Sequence, residues 1–242
     1  MTDWPRGVGL RRYDSIDSTN EEARRLAAAG EQGPLWIVAR EQTKGRGRRG
    51  RTWVSNIGNL FATMLVNVSP PASAELGFAA GLAVADTIVS NAPGAVVALK
   101  WPNDVLLDGK KVAGILLEAV GADALAIGIG INLDHCPEGT EFPATALKSV
   151  TGSAPGAGEA LTILAGRWCA WYEVWRSKGF AHGLRESWLA RAAGQGRQIR
   201  TRLHEGEMDG VFEGLDEDGA LLLRRSDGAL MRITAADVFF PV

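Results

Sequence analysis

The residues best suited to chemistry are concentrated in one basic, glycine-rich loop. Residues 45–51 read Gly-Arg-Gly-Arg-Arg-Gly-Arg, preceded by Lys44 and followed by Trp53. Between Arg40 and Ser55, six basic residues meet one acidic residue, a local charge of +6 − 1 = +5. Glycines leave backbone N–H groups accessible, and guanidinium groups offer paired donors that match phosphate or carboxylate oxygens. The loop therefore predicts an anionic ligand.

Three interpretations of this loop are open from its sequence alone. It could be a solvated basic loop without a ligand, a nucleic-acid-binding arm, or the cradle of a phosphate-bearing small molecule. The whole chain carries 26 basic and 28 acidic residues, a net charge of −2, which argues against general nucleic-acid binding. The loop is not a P-loop, because no Gly-Lys-Ser/Thr follows and both flanking segments read as strands.

A second cluster of polar residues lies at Lys100-Trp-Pro-Asn-Asp104 and at Lys110-Lys111. Lys111 opens an apolar strand, where an ammonium could stabilise charge that develops on a phosphoryl group. By spacing alone, two lysines that decorate a hairpin are the simpler interpretation, and Asn103-Asp104 could be a turn.

A weaker signal lies in the strand Gly128-Ile-Gly130-Ile-Asn132, where glycines permit close approach of a ligand or another strand. The three histidines are isolated and are interpreted as surface or packing residues; they are His135, His182 and His204. Cys136 and Cys169 form neither a disulfide framework nor a zinc-binding pattern.

The elements that must position these residues alternate between strands and helices. Apolar runs predict strands near residues 8–14, 35–39, 59–67, 96–101 and 124–133, and a hairpin of 105–107 with 112–119 turns at Asp108-Gly109. Helical spacing predicts helices at 75–89 and 161–176, the latter with a Trp168, Trp171 and Trp175 stripe in the core. Another helix follows Asp17, with a capping box that joins Ser18 to Glu21 or Thr19 to Glu22.

After residues 192–196 the pattern changes to short strands separated by Gly-containing turns, at 198–203, 210–215, 221–225 and 230–234. This texture predicts a small antiparallel barrel. We therefore predict an α+β fold, with a mixed sheet flanked by helices in a domain at 1–193 and a C-terminal β-barrel at 194–242.

Composition excludes several classes of protein. Hydrophobic residues make up 46% and charged residues 22%, an ordinary globular mixture that excludes wholesale disorder. No apolar run approaches the roughly 20 residues that span a bilayer, and no basic-then-apolar leader opens the chain. A cytoplasmic protein without a membrane partner is the expectation.

Taken together, these motifs resemble those of the biotin protein ligases, in order and in spacing, over nearly the whole chain. The matching stretches are Asp17–Asn20, Glu41–Gln42, Gly45–Arg51 with Trp53, Lys100–Asp104, Lys111–Glu118 and Gly128–Leu133. The predicted C-terminal barrel is similar to the SH3-like domain of that family.

The resemblance implies a two-step reaction with ATP. Biotin and ATP give biotinyl-5′-AMP and pyrophosphate, and a lysine of a biotin carboxyl carrier protein, in acetyl-CoA carboxylase or a related carboxylase, then displaces AMP. Mg²⁺ is expected with ATP, with Asp104 as the one ligand considered, and no bound prosthetic group is expected. Only residues 1–7 precede the first predicted strand, so no DNA-binding module is expected.

The resemblance also implies site residues. Lys111 and Arg48 would be catalytic. Biotin would be bound by Ser18, Thr19, Asn20, Gln42, Gly45, Arg46, Gly47, Arg48, Lys111 and Gly114. The nucleotide would be bound by Arg46, Arg48, Arg51, Trp53, Asn103 and Asn132. The loop from Lys44 to Ser55 would be mobile when empty.

Two alternatives are kept open. A lipoate–protein ligase would share the fold, as would a cysteine-dependent octanoyl transferase, although neither cysteine lies in a recognisable nucleophile setting. A nucleic-acid-binding module would use residues 44–51 as a basic arm. An edge strand could pair with a second subunit of a homodimer or with the carrier protein, and both alternatives stay open.

Overall fold

Seven strands form the mixed sheet that carries most of the candidate residues. The computed structural model describes residues 3–68 and 74–240; residues 1–2, 69–73 and 241–242, which fall within the two predicted domains, lie outside the described residues. The strands are β1 (Gly9–Ile16), β2 (Leu35–Gln42), β3 (Leu60–Asn67), β4 (Val97–Lys100), β5 (Asp104–Leu107), β6 (Lys110–Gly121) and β7 (Ala124–Ile131). Their spatial order is β1-β2-β3-β7-β6-β5-β4. β1 runs parallel to β2 at one edge, and every other pair is antiparallel.

In the described residues, five α-helices accompany the sheet: α1 (Thr19–Ala28), α2 (Leu76–Asn91), α3 (Leu147–Thr151), α4 (Ala157–Gly179) and α5 (Arg185–Leu189). A 3-10 turn at Arg48–Gly50 lies in the basic loop, and a π-helical turn at Phe180–Leu184 joins α4 to α5. Alternation along β2 assigns its two faces, because Trp36 belongs to the main core while Leu35 and Ile37 pack with Ala23 of α1. α1 therefore covers one face, and α2, packed against α4, covers the other.

The predicted elements of the large domain are found, with three differences. α4 begins at Ala157 and ends at Gly179, beyond both predicted bounds, and the short helices α3 and α5 were not predicted. The capping box at the start of α1 is wrong, because Ser18 makes no side-chain capping bond. Glu21 instead pairs with Arg46, and Glu22 with Arg25.

The C-terminal residues form an antiparallel sheet of five strands, whereas the sequence predicted a small antiparallel barrel with four strands. Its strands are β8 (Gln198–Arg202), β9 (Glu207–Leu215), β10 (Leu221–Arg224), β11 (Leu230–Ile233) and β12 (Asp237–Phe239), in the order β11-β10-β9-β8-β12. No separate signal in the sequence predicted β12.

This barrel and the large sheet share one hydrophobic core. Ile199 and Phe212 of the barrel belong to the same buried cluster as Trp101 and Phe180. Trp101 also donates a 3.1 Å hydrogen bond from Nε1 to the carbonyl oxygen of Gly219, in the turn before β10. The predicted boundary near residues 193–194 stays a prediction, since the segment that crosses it pairs with both parts: Ala193 N–H donates to Leu99 O, and Phe212 N–H to Arg197 O.

Within the described ranges, no helix has both the length and the hydrophobicity needed to cross a lipid bilayer.

Candidate active site

Most of the predicted site residues surround one cavity of about 440 Å³, which lies where the sheet, the basic loop and the barrel meet. The predicted residues that line it are Ser18, Thr19, Asn20, Gln42, Arg46, Gly47, Arg48, Arg51, Trp53, Asn103, Lys111, Gly114 and Asn132. Gly45 does not line the cavity but packs within the loop, where an added Cβ would lie 2.4 Å from both Ser55 Oγ and Trp53 O. The loop and the sheet residues are thus brought together as expected.

Bare backbone forms the floor of the cavity. Gly114 of β6 and Gly130 of β7 are paired across the sheet, and the indole of Trp53 lies on both. A Cβ would stand 2.9 Å from that ring at Gly114 and 2.4 Å from it at Gly130, so only glycine admits the ring this close. The Trp53 Nε1–H is buried without a hydrogen-bond partner, and Lys111 Nζ lies 5.4 Å from the ring centroid.

A chain of polar side chains closes one end of the cavity. Thr19 donates to Gln42 Oε1 from its backbone N–H (2.8 Å) and from its hydroxyl (3.0 Å), and Gln42 Nε2 donates to Ser55 Oγ at 2.9 Å. Beneath them, the hydroxyl of the fully buried Thr63 donates to Asn20 Oδ1 at 2.6 Å and lies 2.8 Å from the Thr19 hydroxyl. This network holds the carbonyl and amide groups of Asn20 and Gln42 in fixed orientations.

Asn20 is held from the other side by β6 and β7. Its Nδ2 donates to Glu118 Oε2 at 2.7 Å, and its Oδ1 would lie 2.4 Å from a Cβ at Gly128. Sequence reasoning missed Thr63, and it assigned no role to Glu118.

Arg46 does not point at the centre of the cavity. Its guanidinium pairs with Glu21 of α1 and lies 3.5 Å from Glu118 of β6. The hydrogen bond that Arg46 donates to Glu21 raises the pKa of Arg46, although burial acts in the opposite direction. Arg46 in this conformation ties the loop to the body, and the predicted contact of its side chain with a phosphate is untested.

Arg48 and Lys111 supply the cationic wall. Arg48 Nη1 donates to Asn103 Oδ1 at 3.1 Å, while Asn103 Nδ2 donates to Ile115 O at 2.7 Å. Burial lowers the pKa of Arg48, and the charges of Asp237 and Asp104 oppose that effect. Arginine remains protonated in proteins even so, which leaves a partly desolvated positive charge beside the cavity.

Lys111 faces the same space, with Nζ 2.7 Å from Asp104 Oδ1. That contact is an ion pair rather than a directed hydrogen bond, because no hydrogen bond of normal geometry reaches the oxygen. The interpretation of Lys111 as a hairpin decoration is wrong, since its side chain lines the cavity at the junction with Gly114.

Asn132 has a positioning contact rather than a free amide. It is buried, and its Nδ2 donates to Thr145 O at 3.1 Å. Thr145 N–H in turn donates to Lys111 O, and Lys111 N–H donates to Pro143 O.

The segment 137–144 is a part of the site that sequence reasoning did not find. It lines the cavity through Glu138, Glu141 and Phe142, and it reaches the barrel through an ion pair of Glu141 with Arg202 and an edge contact of Phe142 with Phe240. No local signal marks this segment, because its role depends on contacts distant in sequence.

The barrel completes the wall with Asp237 of β12. Its carboxylate pairs with Arg49 at 3.0 Å and with Arg51, so the basic loop is anchored to the barrel. Burial alone would raise the pKa of Asp237, but the hydrogen bond from Arg51 and the charges of the arginines hold it below its ordinary value.

Comparisons with known proteins agree with this arrangement. Residues 13–134 match the model of the biotin/lipoate A/B protein ligase family, and residues 195–240 match that of the biotin protein ligase C-terminal domain. The chain is 44% identical to a biotin–[acetyl-CoA-carboxylase] ligase of Paracoccus denitrificans, over 93% of this chain and 97% of the relative. It is 33% identical to the enzyme of that name from Mycobacterium tuberculosis, over 96% and 90%.

A solved structure of a biotin protein ligase has the same fold. A biotin protein ligase from Aquifex aeolicus, in complex with biotin and ATP, superimposes with a TM-score of 0.82 at 31% identity, covering 96% of this chain and 97% of that one.

Proposed function

From the premise that the chain belongs to the biotin/lipoate A/B protein ligase family, as a biotin protein ligase, we propose how its cavity carries out the reaction. The activity is that of a biotin–[acetyl-CoA-carboxylase] ligase. In the first step, a carboxylate oxygen of biotin bonds to the α-phosphorus of ATP, and pyrophosphate leaves. In the second, a lysine amine of the carrier protein attacks the acyl carbon of biotinyl-5′-AMP, and AMP leaves.

The bicyclic ring of biotin occupies the polar end of the cavity. Its ureido group offers one carbonyl acceptor and two N–H donors, and the network of Thr19, Asn20 and Gln42 provides groups of both kinds within a small space. The apolar part of the molecule lies beside the Trp53 ring, which covers the glycine floor, and its carboxylate points to Lys111.

Arg48 and Lys111 bind the atoms that react. Both steps place extra negative charge on phosphate oxygens, and cations that are already oriented stabilise it without reorganisation. Asn103 orients Arg48, and Asp104 holds Lys111 until the substrate carboxylate and phosphate replace it. Trp53 covers the nucleotide in this arrangement, together with Asn132, whose contact with Thr145 fixes the neighbouring wall.

Mg²⁺ enters with ATP as part of the substrate. Within residues 3–68 and 74–240 no three His, Cys, Asp or Glu side chains are grouped to hold a metal ion. Mg²⁺ that is bound to ATP is held mainly by phosphate oxygens and water, and it needs only one or two carboxylates from the protein. Asp104 is the carboxylate that we propose for it.

The observation that carries the proposal is the convergence of Arg48 and Lys111 on a cavity whose floor is bare backbone. The test is ATP–pyrophosphate exchange, with biotin and lipoate supplied separately. We expect exchange with biotin alone, and a loss of roughly 10²–10³-fold for Lys111→Ala or Arg48→Ala, the size seen when one charge-stabilising donor is removed.

Lys110→Ala is the matched control, because Lys110 is exposed on the same hairpin and does not line the cavity. Arg48→Ala should also release free biotinyl-5′-AMP into solution. Exchange that depends on lipoate, or on no acid at all, would contradict the proposal.

A further inference from the structure

Glu118 is an acidic residue beside the cavity that has no role in the reaction described above. It lies on β6 and does not line the cavity, and 25% of its side chain is exposed. Its two carboxylate oxygens have different partners. Oε2 accepts a 2.7 Å hydrogen bond from Asn20 Nδ2, and Oε1 lies 3.5 Å from the guanidinium of Arg46. Glu118 thus joins the polar end of the cavity to the basic loop.

The contact with Glu118 decides which way round the amide of Asn20 lies. An ionised carboxylate only accepts hydrogen bonds, so it must face the NH₂ group of the amide and not its carbonyl oxygen. The same Nδ2 also donates to the carbonyl oxygen of Leu116, at 3.3 Å. With both N–H bonds directed at the protein, Oδ1 is the polar atom that Asn20 has left for a ligand. It accepts one hydrogen bond, from Thr63, and a carbonyl oxygen accepts two.

Gln42, at the same end of the cavity, lies the other way round. Its Oε1 accepts two hydrogen bonds from Thr19, so both of its lone pairs are occupied. Its Nε2 donates one hydrogen to Ser55 Oγ and retains the other. The two amides that line this end of the cavity, those of Asn20 and Gln42, therefore offer a ligand one acceptor and one donor.

We propose that Glu118 is a specificity-determining positioning residue, which orients the Asn20 amide so that Oδ1 accepts a hydrogen bond from a ureido N–H of biotin. This inference rests on the proposed function. A ring without an N–H, such as the dithiolane of lipoate, leaves that buried oxygen without its second partner. A site built to bind a polar group rejects analogues that lack the group, because its own buried polar atoms then stay unpaired. Since Glu118 does not line the cavity, it acts through Asn20.

The contact of Glu118 with Arg46 is the weaker of its two contacts. The closest atoms are 3.5 Å apart, and Arg46 also pairs with Glu21 of α1. When Glu118 is replaced, Arg46 therefore retains a carboxylate partner, whereas Asn20 Nδ2 loses the shorter of its two hydrogen bonds. The main effect of the replacement should fall on Asn20.

The experiment measures the Kd of biotin and of its two carbamate analogues, in each of which an oxygen atom replaces one ureido N–H. We expect the unmodified protein to bind at least one analogue about tenfold or more weakly than biotin, because an oxygen then faces Oδ1 of Asn20. In Glu118→Met the amide is free to turn and present its NH₂ group, so this ratio of Kd values should fall to about threefold or less. A purely structural role would weaken biotin and analogue together and leave the ratio unchanged.

Two further variants separate the two contacts of Glu118. Glu118→Gln retains an oxygen that accepts from Asn20 Nδ2 but loses the negative charge beside Arg46, so it should keep the ratio of the unmodified protein. Glu21→Met removes the other acidic partner of Arg46 and leaves the contacts of Asn20 in place, so it should also keep the ratio. An equal fall of the ratio in Glu21→Met and Glu118→Met would assign the effect to the loop and overturn the inference.

A measurement on the unmodified protein keeps the inference testable if Glu118→Met fails to fold. Because both N–H bonds of the Asn20 amide point at protein acceptors, its NH₂ hydrogens should exchange slowly with solvent in NMR spectra recorded without biotin. Fast exchange of these hydrogens would overturn the inference, as would an unchanged Kd ratio in folded Glu118→Met. Absence of biotin binding by the unmodified protein would instead overturn the proposed function, so the two failures are distinguishable.

Discussion

At the scale of single residues, the polar end of the cavity, which we propose for biotin, depends on a side chain that is fully buried. Thr63 is fully buried in β3, and its hydroxyl supports Thr19 and Asn20 from below. A buried donor or acceptor that loses its partner costs roughly 1–3 kcal/mol. Thr63 therefore positions Thr19 and Asn20, two residues that we propose for biotin binding.

Thr63→Val tests this role, because valine has the shape of threonine without its hydroxyl. We expect the free energy of unfolding to fall by about 1–3 kcal/mol. The KM for biotin should rise, since Asn20 and Thr19 lose their fixed orientations, while the KM for ATP stays unchanged. Steady-state kinetics and denaturant unfolding measure both effects.

Thr87→Val is the control for that variant. Thr87 is also buried, but its hydroxyl donates to Ala83 O within α2. It should lose stability without a change in the KM for biotin. If Thr63→Val changed stability alone, Thr63 would have a purely structural role.

Many residues of the candidate site could be predicted from the sequence, because their residue types are themselves suited to the chemistry. The basic loop, Lys111 and the glycines at 128 and 130 each showed an unusual residue type in a strand or between strands. Thr63 showed nothing of the kind, since a threonine in a strand is ordinary. Its role arises only from residues that folding brings beside it.

At the scale of elements, ion pairs connect the basic loop to the large domain on one side and to the barrel on the other. Arg46 joins it to Glu21 and Glu118, and Asp237 of β12 joins it to Arg49 and Arg51. The expected mobility of the empty loop stays a prediction, and these contacts define what must break when the loop opens.

Asp237→Asn should make the loop open more often. Pairs of this exposure are worth roughly 0.2–1 kcal/mol each, so we expect trypsin to cut between residues 44 and 55 about three- to tenfold faster. Biotin with ATP should restore protection. The measurement is limited proteolysis followed by mass spectrometry, with and without the two substrates.

Asp209→Asn removes an exposed pair with Arg200 on the same barrel and should leave cleavage of the loop unchanged. Equal cleavage of the Asp237 variant and the unmodified protein would show that these pairs do not hold the loop.

The same ion pairs also predict how loop cleavage depends on pH. Because the pKa of Asp237 in the folded protein lies below its ordinary value of 3.8, the ionised carboxylate stabilises the closed loop fully above pH 3.8. This stabilisation is lost only as the pH falls through the lowered pKa. Titration of Asp237 should therefore cause no change in loop cleavage between pH 5 and 8.

The order of the strands was beyond sequence reasoning. Local patterns predicted the strands and the three long helices of the large domain, but not that β7 lies between β3 and β6 or that β1 pairs in parallel with β2. Register and order depend on contacts between distant segments, which hydropathy periods do not encode. The same reason explains why the cavity-lining role of residues 137–144 was missed.

At the scale of the whole molecule, sheet and barrel share one core and one site. Trp101 bonds to the turn at Gly219, and the Phe78 ring packs where a side chain at that glycine would stand, 2.5 Å away. We therefore expect a single calorimetric unfolding transition, with equal calorimetric and van't Hoff enthalpies.

Gly219→Ala should lower the midpoint of that transition without splitting it. Its φ of +82° disfavours alanine, and the new Cβ would collide with Phe78. Gly228→Ala is the matched control, because φ is +84° but no atom lies within 4 Å of the added Cβ. The difference in stability between the two variants isolates the contact with Phe78, and we expect it to be roughly 1–3 kcal/mol, or about 2–12 °C in Tm. Two separate transitions in Gly219→Ala would show that the halves unfold independently.

The pair of residues beneath the Trp53 ring limits how this pocket can change. No amino acid is smaller than glycine, so every replacement of Gly114 or Gly130 narrows the chamber and none can widen it. A variant selected to accept a bulkier vitamin analogue must therefore gain its room from the surrounding walls. Directed libraries that leave these two codons fixed would lose no useful diversity.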